Sequence, residues 1–256
     1  MYCISITDYK YEDCVKSVKK CEKLLKKFPD LIGEVRLDLC NLSENQTRQL
    51  FLEAKVPLIA VCRKSTRHLA EAAVQSGARY IDVDVLSSYL FFQSLAPTLK
   101  KRNLKKIFSF HNYNSTPQTA ELMDVCRRAA KRGADIIKIC TQANSIQDAE
   151  RVMQLYEQHR LGAFGKGTQL IAFTMGSVGR YTRLEALNIG APFMYCTLSA
   201  GDKWNIGQFS YQQMEKFAPG HKIEGEITIP ASKSVAQRAI IAASLAKGES
   251  EFQNLS

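Results

Sequence analysis

The sequence predicts an α/β protein in which about eight strand-helix units close into a (β/α)8 TIM barrel. Apolar runs of strand length alternate with amphipathic segments of helix length from the first residues to about residue 217. The number of these units is the number that closes such a barrel. Polar residues also gather on one face of the strands, late in each strand. An open doubly wound sheet would use the same alternation, and it is the alternative architecture.

The first four units follow one another closely. The strand YCISIT precedes a helix near residues 11 to 27, and the strands LIGEVRLDL, PLIAVCR and ARYIDVDV each precede a further helix. Ser43 is an N-cap residue before the second helix, since its side chain can accept a bond from a free amide of the first turn. Gly77 marks a helix end.

The last four units begin with LKKIFSFHN and continue with ADIIKIC, TQLIAFTMG and PFMYCTL. The helix after the first of them should carry Pro117, preceded by Thr116, in its first turn. Ser145 with Asp148 should cap a helix near residues 145 to 159. A helix from about residue 178 and a last helix near residues 207 to 217 complete the set, with Gly133 and Gly190 at helix ends.

Composition limits the classes of protein to which the chain can belong. It has 256 residues, of which 45% are hydrophobic and 23% charged, as in a globular protein with one full-sized core. No run of about 18 apolar residues occurs, and the N-terminus lacks the layout of a signal peptide. We therefore expect a cytoplasmic protein that does not enter a membrane.

The eight cysteines do not indicate disulfides or a metal. Cys3, Cys62, Cys140 and Cys196 lie in or beside apolar runs, and no C-x-x-C spacing occurs. They are typical of small buried hydrophobic residues in a reducing compartment. The four histidines have no metal-ligand spacing to a cysteine or to one another, so we expect no bound metal.

The net charge of +10 raises the question of nucleic-acid binding. Much of this charge lies on predicted helix faces, and no aromatic residues interleave with it as a stacking surface would require. We expect no nucleic-acid partner. Attraction of a small anionic substrate is the simpler use of the excess.

Lys138 is the most informative single residue, because it lies inside the apolar strand Ile136-Ile137-Lys138-Ile139-Cys140. One interpretation is a lysine that reaches out to solvent at the strand end. The other is a reagent: burial disfavours the charged form and lowers the pKa, and a neutral amine attacks a ketone to form a Schiff base.

Alternation within the strands places the polar residues on a common face. Glu34, Arg36 and Asp38 share one face of their strand, Asp82 and Asp84 share one face of theirs, and so do Ser109 and His111. Helices cover the opposite face, so the polar face has solvent only at the carboxyl-end mouth of the barrel, where active sites of this fold lie. The side chains expected to converge there are those of Glu34, Arg36, Arg63, Asp84, His111 and Lys138.

Such a set suits carbonyl substrates that carry a carboxylate, without any cofactor. Lysine forms the imine, histidine moves protons, and arginine binds the carboxylate with two hydrogen bonds. Dehydration, aldol cleavage and isomerisation all fit, and the residues alone leave these reactions open.

Short motifs add a resemblance to a known family. The strings Glu34-Val35-Arg36-Leu37-Asp38, Ile81-Asp82-Val83-Asp84, Ser109-Phe110-His111 and Ile137-Lys138-Ile139 occur in one register with Arg63, Thr116-Pro117, Met175-Gly176, Arg183 and Gly207-Gln208. In order and spacing, residues 1 to about 217 resemble type I 3-dehydroquinate dehydratase.

The resemblance implies a lyase that converts 3-dehydroquinate to 3-dehydroshikimate in the shikimate pathway, and a homodimer. It implies that Lys138 forms the imine with the C3 ketone and that His111 removes a C2 proton and then protonates the departing C1 hydroxyl. Substrate binding would fall to a set of polar residues. This set comprises Glu34, Arg36, Arg63, Arg183 and Gln208. Arg183 would hold the substrate carboxylate, and Gln208 would close over this carboxylate.

Three departures from the family pattern bear on activity. Asp84 stands where the family has a glutamate that orients the histidine, and a carboxylate one methylene shorter can misplace the base by about 1 Å, at a cost on the order of a hundredfold. The segment after Arg63 is shorter than usual and lacks a glycine-rich loop. Trp204-Asn205-Ile206 replaces the family's serine-alanine-proline, which places Trp204 in the loop expected to cover the substrate.

The segment from residue 219 to residue 256 resembles the opening of 5-enolpyruvylshikimate-3-phosphate (EPSP) synthase. Its motif here is Ser232-Lys233-Ser234 followed by Arg238, and Lys233, Ser234 and Arg238 would form an anion cradle at a strand-to-helix turn. We expect a barrel over residues 1–218 and, over residues 219–256, a truncated strand-helix extension without transferase activity.

Two other functions remain alternatives at this point. Another Schiff-base lyase, such as an aldolase, would use the same lysine. A catalytically impaired ligand-binding relic is suggested by Asp84, Trp204 and the shortened loop after Arg63.

Overall fold

A computed structural model describes residues 1–86, 102–200 and 207–216, together with residues 93, 99, 240, 243, 245, 248 and 251. The chain divides into two compact units, Met1–Ala218 and Pro219–Ser256. Several predictions fall outside the described residues: the helix after the fourth strand, the lid residue Trp204, and the strand-helix extension with Lys233, Ser234 and Arg238.

The described strands of the first unit are β1 (Tyr2–Ile6), β2 (Ile32–Val35), β3 (Leu58–Cys62), β4 (Tyr80–Asp84), β5 (Lys105–Asn112), β6 (Ile136–Gln142), β7 (Gln169–Met175), β8 (Met194–Thr197) and β9 (Phe209–Ser210). The described helices are α1 (Tyr11–Leu24), α2 (Glu44–Glu53), α3 (Arg67–Gln75), α4 (Thr119–Lys131), α5 (Ile146–Met153), α6 (Leu155–Arg160), α7 (Gly176–Gly179), α8 (Thr182–Asn188) and α9 (Tyr211–Lys216).

The strands form one parallel sheet in the order β7-β6-β5-β4-β3-β2-β1-β8-β9. Each of the first seven strands lies beside its neighbour in sequence, and β8 returns to pair with β1, so that Tyr2 is opposite Met194. A doubly wound sheet would instead reverse its strand order near the middle. The order confirms the predicted (β/α)8 barrel class and excludes the alternative.

Helix ends follow the predicted capping chemistry at most positions. Ser43 accepts a bond from the amide of Gln46, and Ser145 forms the same reciprocal capping box with Asp148. Gly77, Gly133 and Gly190 follow α3, α4 and α8 with φ values of 118°, 77° and 120°, a region that glycine adopts without strain. These predictions are confirmed.

The prediction for Pro117 is wrong by two residues. Helix α4 begins at Thr119, with Gln118 as its N-cap. Thr116 is buried instead, and its hydroxyl lies 2.8 Å from the hydroxyl of Thr141 and donates to the carbonyl of Gln142 at 2.8 Å. A residue that precedes a proline avoids the helical backbone conformation, so Thr116 lies before the helix and not within it. Its two hydrogen bonds attach the loop to the end of β6.

Other boundaries differ by a few residues. The first helix ends at Leu24 rather than near residue 27, and the helix predicted near residues 145 to 159 is divided at Gln154 into α5 and α6. The segment predicted as the last helix, near residues 207 to 217, begins instead with the two-residue strand β9, which pairs with β8. Helix α9 follows from Tyr211. Two residues are too short for an alternation pattern to reveal.

Buried apolar side chains from both faces of the sheet form one continuous core. All eight cysteines are free and buried, as predicted for Cys3, Cys62, Cys140 and Cys196. Within the described ranges, no helix combines the length and the apolarity needed to span a bilayer. The same ranges contain no group of three or more histidine, cysteine, aspartate or glutamate side chains suited to a metal.

Candidate active site

A cavity opens at the carboxyl ends of the strands, where the polar face of the sheet meets solvent. Parallel pairing sets Ser109 opposite Lys138 and His111 opposite Cys140, so β5 and β6 present their polar residues side by side. The residues that line this cavity are Glu34, Arg36, His111, Tyr113, Lys138, Cys140, Phe173, Met175, Arg183, Tyr195 and Gln208.

Lys138 lies on β6 with only 5% of its surface exposed, so it does not reach out to solvent. Its Nζ donates to Glu34 Oε1 at 3.1 Å and to Asp82 Oδ2 at 3.0 Å. Its ammonium also lies 3.9 Å from the centre of the Tyr195 ring, a cation–π distance. Two carboxylates and an aromatic face therefore surround the amine.

The expected lowering of the Lys138 pKa is wrong in direction. Burial does lower this pKa, but the carboxylates of Asp82 and Glu34 outweigh burial and raise it above its ordinary value. A strand pattern predicts that a lysine is buried. The carboxylates that face its ammonium become apparent only in the folded structure. In the free protein, Lys138 is an ammonium held in two ion pairs.

Asp82 on β4 is completely buried. Its role was not predicted, because the family resemblance assigned the carboxylate of this strand to Asp84. Oδ1 of Asp82 accepts from the Ser109 hydroxyl at 2.5 Å and from Arg63 Nη1 at 3.3 Å, and its Oδ2 accepts from Lys138. Burial alone would raise its pKa, but Lys138 and Arg63 lower it below the ordinary value. Asp82 is therefore a fixed carboxylate.

His111 lines the cavity at the end of β5, and its ring stacks on Tyr113 with centroids 5.9 Å apart. Burial, together with the charge of Lys138, holds its pKa well below the ordinary value. The imidazole is thus neutral near pH 7 and able to accept a proton. Its Nδ1 is buried and has no hydrogen-bond partner among the described residues.

Asp84, at the end of β4, does not supply that partner in this structure. Its Oδ1 accepts from the backbone amide of Leu86 at 2.6 Å, and Asp84 is not among the residues that line the cavity. Asp82 and Asp84 share a face of β4, so alternation alone could not tell which of them approaches the lysine.

Arg183 lines the same cavity and is only 3% exposed. Its Nε and Nη1 are buried without a hydrogen-bond partner in the described part of the chain, while its guanidinium lies 4.1 Å from the centre of the Phe173 ring. Burial and the nearby Arg180 lower its pKa from the ordinary value. An arginine remains charged nevertheless, so Arg183 presents unused N–H donors to an anion.

A small hydroxyl network attaches the start of α8 to β7 and so positions Arg183. The Thr182 hydroxyl donates to the carbonyl of Gly179 at 2.7 Å and accepts from the amide of Thr174 at 2.9 Å. A Cβ at Gly179 would lie 2.0 Å from the Thr174 hydroxyl, so only glycine fits there. The close approach of this turn to β7 explains the glycine.

The other predicted arginines are already paired. Arg36 donates to Asp38 through two bonds of 2.9 Å and 2.7 Å, and Arg63 pairs with Asp82. Arg36 lines the cavity, as does Gln208, whereas Arg63 is not among the lining residues. Of the predicted set, the structure thus brings Glu34, Arg36, His111, Lys138, Arg183 and Gln208 to one cavity.

Tyr195 on β8 is a site residue that the sequence pattern did not reveal. It is 2% exposed, and its buried hydroxyl has no hydrogen-bond partner among the described residues. Within the run PFMYCTL it reads as a core aromatic, and only its position across the barrel from β6 brings it to Lys138. The resulting cavity holds two buried cations, of which Lys138 has carboxylate partners and Arg183 has none within the described ranges.

A parallel (β/α)8 barrel with a buried, ion-paired lysine and a neutral histidine at its carboxyl end has the features of a barrel enzyme that acts on a small anionic molecule. Sequence comparison identifies the family. The model of the type I 3-dehydroquinase family matches residues 2–218. The chain belongs to this family, and residues 217–256 match the model of EPSP synthase (3-phosphoshikimate 1-carboxyvinyltransferase).

Relatives support the assignment. The chain is 32% identical over 206 residues to a 3-dehydroquinate dehydratase of Desulfotalea psychrophila, covering 75% of this chain and 88% of that protein. It is 28% identical to one of Methanococcus maripaludis, over 77% of this chain and 89% of the relative. The barrel is an enzyme of the type I 3-dehydroquinate dehydratase class, as predicted.

Solved structures share its fold. A type I 3-dehydroquinate dehydratase of Clostridium difficile with covalently modified comenic acid superposes with a TM-score of 0.73 at 18% identity, covering 84% of this chain and 90% of that one. The enzyme of Aquifex aeolicus gives 0.67 at 24% identity, over 85% and 96% of the two chains.

Proposed function

We propose that this dehydratase converts 3-dehydroquinate to 3-dehydroshikimate, as a step of the shikimate pathway, through a Schiff base on Lys138. One observation carries the proposal: the buried Lys138 shares a cavity with a neutral His111 and with Arg183, two of whose N–H donors have no partner among the described residues. Ketone, proton and carboxylate chemistry can therefore meet within one site.

The covalent step begins when the Lys138 ammonium gives up a proton and the resulting amine attacks the C3 ketone. Two of the ammonium hydrogens leave with the carbonyl oxygen as water. The iminium withdraws electrons from C2, so a neutral His111 can remove a C2 proton and leave an enamine. His111 then returns this proton to the departing C1 hydroxyl, and hydrolysis of the iminium frees Lys138. The net change is the loss of one water from the substrate, without a cofactor.

Arg183 would hold the substrate carboxylate. Its buried guanidinium costs free energy until an anion satisfies its free N–H groups, and a carboxylate matches their planar geometry. Gln208 would close over the substrate, while Glu34, Arg36 and Arg63 would bind its hydroxyls or hold the groups that do. Asp84 would orient His111 only after its carboxylate leaves the amide of Leu86, and Nδ1 of His111 is the atom that such a contact would satisfy.

Reductive trapping tests the covalent step. We expect borohydride added with 3-dehydroquinate to add the mass of the reduced substrate to Lys138, located by peptide mass spectrometry. Lys106→Met is a matched control, because Lys106 lies on the neighbouring strand β5 and pairs with Asp135 outside the cavity. This variant should still form the adduct, whereas Lys138→Met should not; an unmodified Lys138 in the wild type would refute the mechanism.

A dehydratase also differs from an aldolase and from a ligand-binding relic by its product. Dehydration generates an enone, so ultraviolet absorbance should rise when 3-dehydroquinate is added to the purified protein. Tight binding of 3-dehydroquinate without any rise in absorbance would favour the catalytically impaired ligand-binding protein instead.

We further propose that the protein acts in the cytoplasm as a homodimer. Eight free, buried thiols suit a reducing compartment, and the family resemblance supports the dimer. Sedimentation of the purified protein would measure its mass directly. Residues 219–256 we propose to be an EPSP synthase-like segment, and an assay with shikimate 3-phosphate and phosphoenolpyruvate would measure any transferase activity.

A further inference from the structure

The two carboxylates that hold the Lys138 ammonium are themselves held in different ways. Asp82 is fully buried, and its Oδ1 takes bonds from Ser109 and Arg63 while its Oδ2 takes the bond from Lys138. Glu34 lines the cavity, and its second oxygen accepts a hydroxyl bond of 3.2 Å from Ser5. One partner is fixed behind the amine, and the other faces the space for substrate.

Imine formation changes the number of donors on the nitrogen. An ammonium and a ketone become an iminium and water, so two of the three ammonium hydrogens leave with the ketone oxygen. The positive charge stays on Nζ, and a single N–H remains there. Two carboxylates accept bonds from Lys138 before the reaction, and one of them must lose its bond as the iminium forms.

We propose that Asp82 remains as the counter-ion of the iminium, and that Glu34 is the carboxylate released to the substrate. The inference rests on the Schiff-base function proposed above. It assigns a part in the reaction to Asp82, which touches the reacting nitrogen. It also divides the work between two carboxylates that both accept a bond from the ammonium in the free protein.

The anchoring of the two groups supports this division. Movement of Asp82 would break bonds to Ser109 and Arg63 and would leave a completely buried carboxylate with poorer partners, which is costly. Glu34 lines the cavity and takes one further bond, from Ser5, so a substrate hydroxyl can replace the ammonium as its partner with the loss of fewer bonds. Burial of Asp82 also makes its charge effective at Nζ, because little water screens it.

Other ionisable groups face Lys138 and set the same field. From the surrounding strands these are Cys3 on β1, Glu34 on β2, Arg63 after β3, Asp82 on β4, His111 on β5 and Tyr195 on β8. Tyr113 lies beyond His111. Asp82 and Glu34 are the carboxylates that touch Nζ among the described residues, so a comparison of these two isolates the counter-ion.

The pH dependence of trapping by cyanoborohydride, which reduces iminium ions much faster than neutral imines, tests the assignment. With 3-dehydroquinate bound, Asp82→Asn should lower the alkaline midpoint of adduct formation by about one to three pH units, since it removes the nearest opposite charge. Glu34→Gln should lower this midpoint by less than half as much, and should raise the substrate concentration for half-maximal trapping about tenfold. An equal or larger midpoint shift in Glu34→Gln would overturn the proposal.

Two checks keep the result decisive. Circular dichroism and thermal unfolding establish that each variant folds; if Asp82→Asn does not, Ser109→Ala decides, because loss of the anchoring hydroxyl should shift the midpoint in the same direction by a smaller amount. No shift there would count against Asp82. Absence of an adduct in the wild type would instead contradict the Schiff-base function, so the two failures are distinguishable.

Discussion

Lys138 and Arg183 are both buried cations in one cavity, yet the protein treats them in opposite ways. Lys138 lies between two carboxylates that raise its pKa. Arg183 has a lowered pKa and two N–H groups that find no partner in the part of the chain that the structure describes. The protein therefore compensates the charge of the amine that we propose to react and leaves open the charge that we propose to bind the substrate. A reagent must be held in place before substrate arrives, while a binding group gains most from a partner that the substrate brings.

Removal of Lys138 should have the largest effect. Lys138→Met should lower kcat by on the order of 10⁴-fold or more, as loss of a covalent group does. It should also lower the free energy of unfolding by about 3–5 kcal/mol, because it leaves Glu34 and Asp82 buried without the ammonium. Steady-state kinetics and urea unfolding measure the two effects; unchanged stability would show that the ion pairs do not form.

Arg183 should show the opposite pattern. Arg183→Met should lower kcat/KM by about 10²- to 10³-fold, since it removes the buried group that we propose to bind the substrate carboxylate. Its free energy of unfolding should stay within about 1 kcal/mol of the wild type or rise, because Arg183 forms no ion pair with any residue that the structure describes. Arg183→Lys is the matched control and should recover only part of the activity, since lysine lacks the planar fork. A large loss of stability in Arg183→Met would erase the contrast between the two cations.

The pKa of His111 reports which cation is close. Because the Lys138 charge helps to lower this pKa, Lys138→Met should raise it by about one unit or more, whereas Arg183→Met should leave it unchanged. Nuclear magnetic resonance titration of the imidazole measures this directly. Equal shifts in the two variants would mean that both charges act on the base.

His111 also makes the free energy of unfolding depend on pH. Its folded pKa lies below the unfolded value near 6.5, so only the unfolded state takes up the proton between them. The free energy of unfolding should fall by up to about 1.4 kcal/mol per unit as the pH drops below 6.5. Urea unfolding of His111→Asn, which lacks this contribution, should show a shallower slope; an identical slope would exclude His111 as its source.

Asp84 should produce the smallest effect. Its carboxylate bonds to the Leu86 amide rather than to His111, so Asp84→Asn should change kcat by less than about threefold. Asp84→Glu, which adds the missing methylene, should increase kcat if its longer side chain reaches Nδ1. A drop of a hundredfold in Asp84→Asn would show that Asp84 orients the base during turnover.

Much of the architecture could be predicted because alternation and helix capping are local signals. Alternation placed Glu34, His111 and Lys138 on the polar face, and the strand order confirmed the barrel. The same rule could not choose between Asp82 and Asp84, because both point inward and their depth depends on the stagger between strands. It also missed Tyr195, whose importance depends on closure of the barrel.

The direction of the Lys138 pKa could not be read from sequence either. Burial and nearby carboxylates act in opposite senses, and only three-dimensional placement decides which prevails. Arg183 lies on a helix, outside any strand pattern, so the family resemblance alone suggested it. Local patterns thus predict where a side chain points, while the partners it meets are a property of the whole barrel.

The aromatic ring beneath Lys138 gives the protein a built-in optical probe. The phenol of Tyr195 absorbs near-ultraviolet light, and its ring centre lies 3.9 Å from the nitrogen on which we propose that the Schiff base forms. Conversion of a compact ammonium into a larger, delocalised cation should shift the absorption of this chromophore. Rapid-mixing absorption spectra could then follow the formation and decay of the proposed covalent intermediate without any added label.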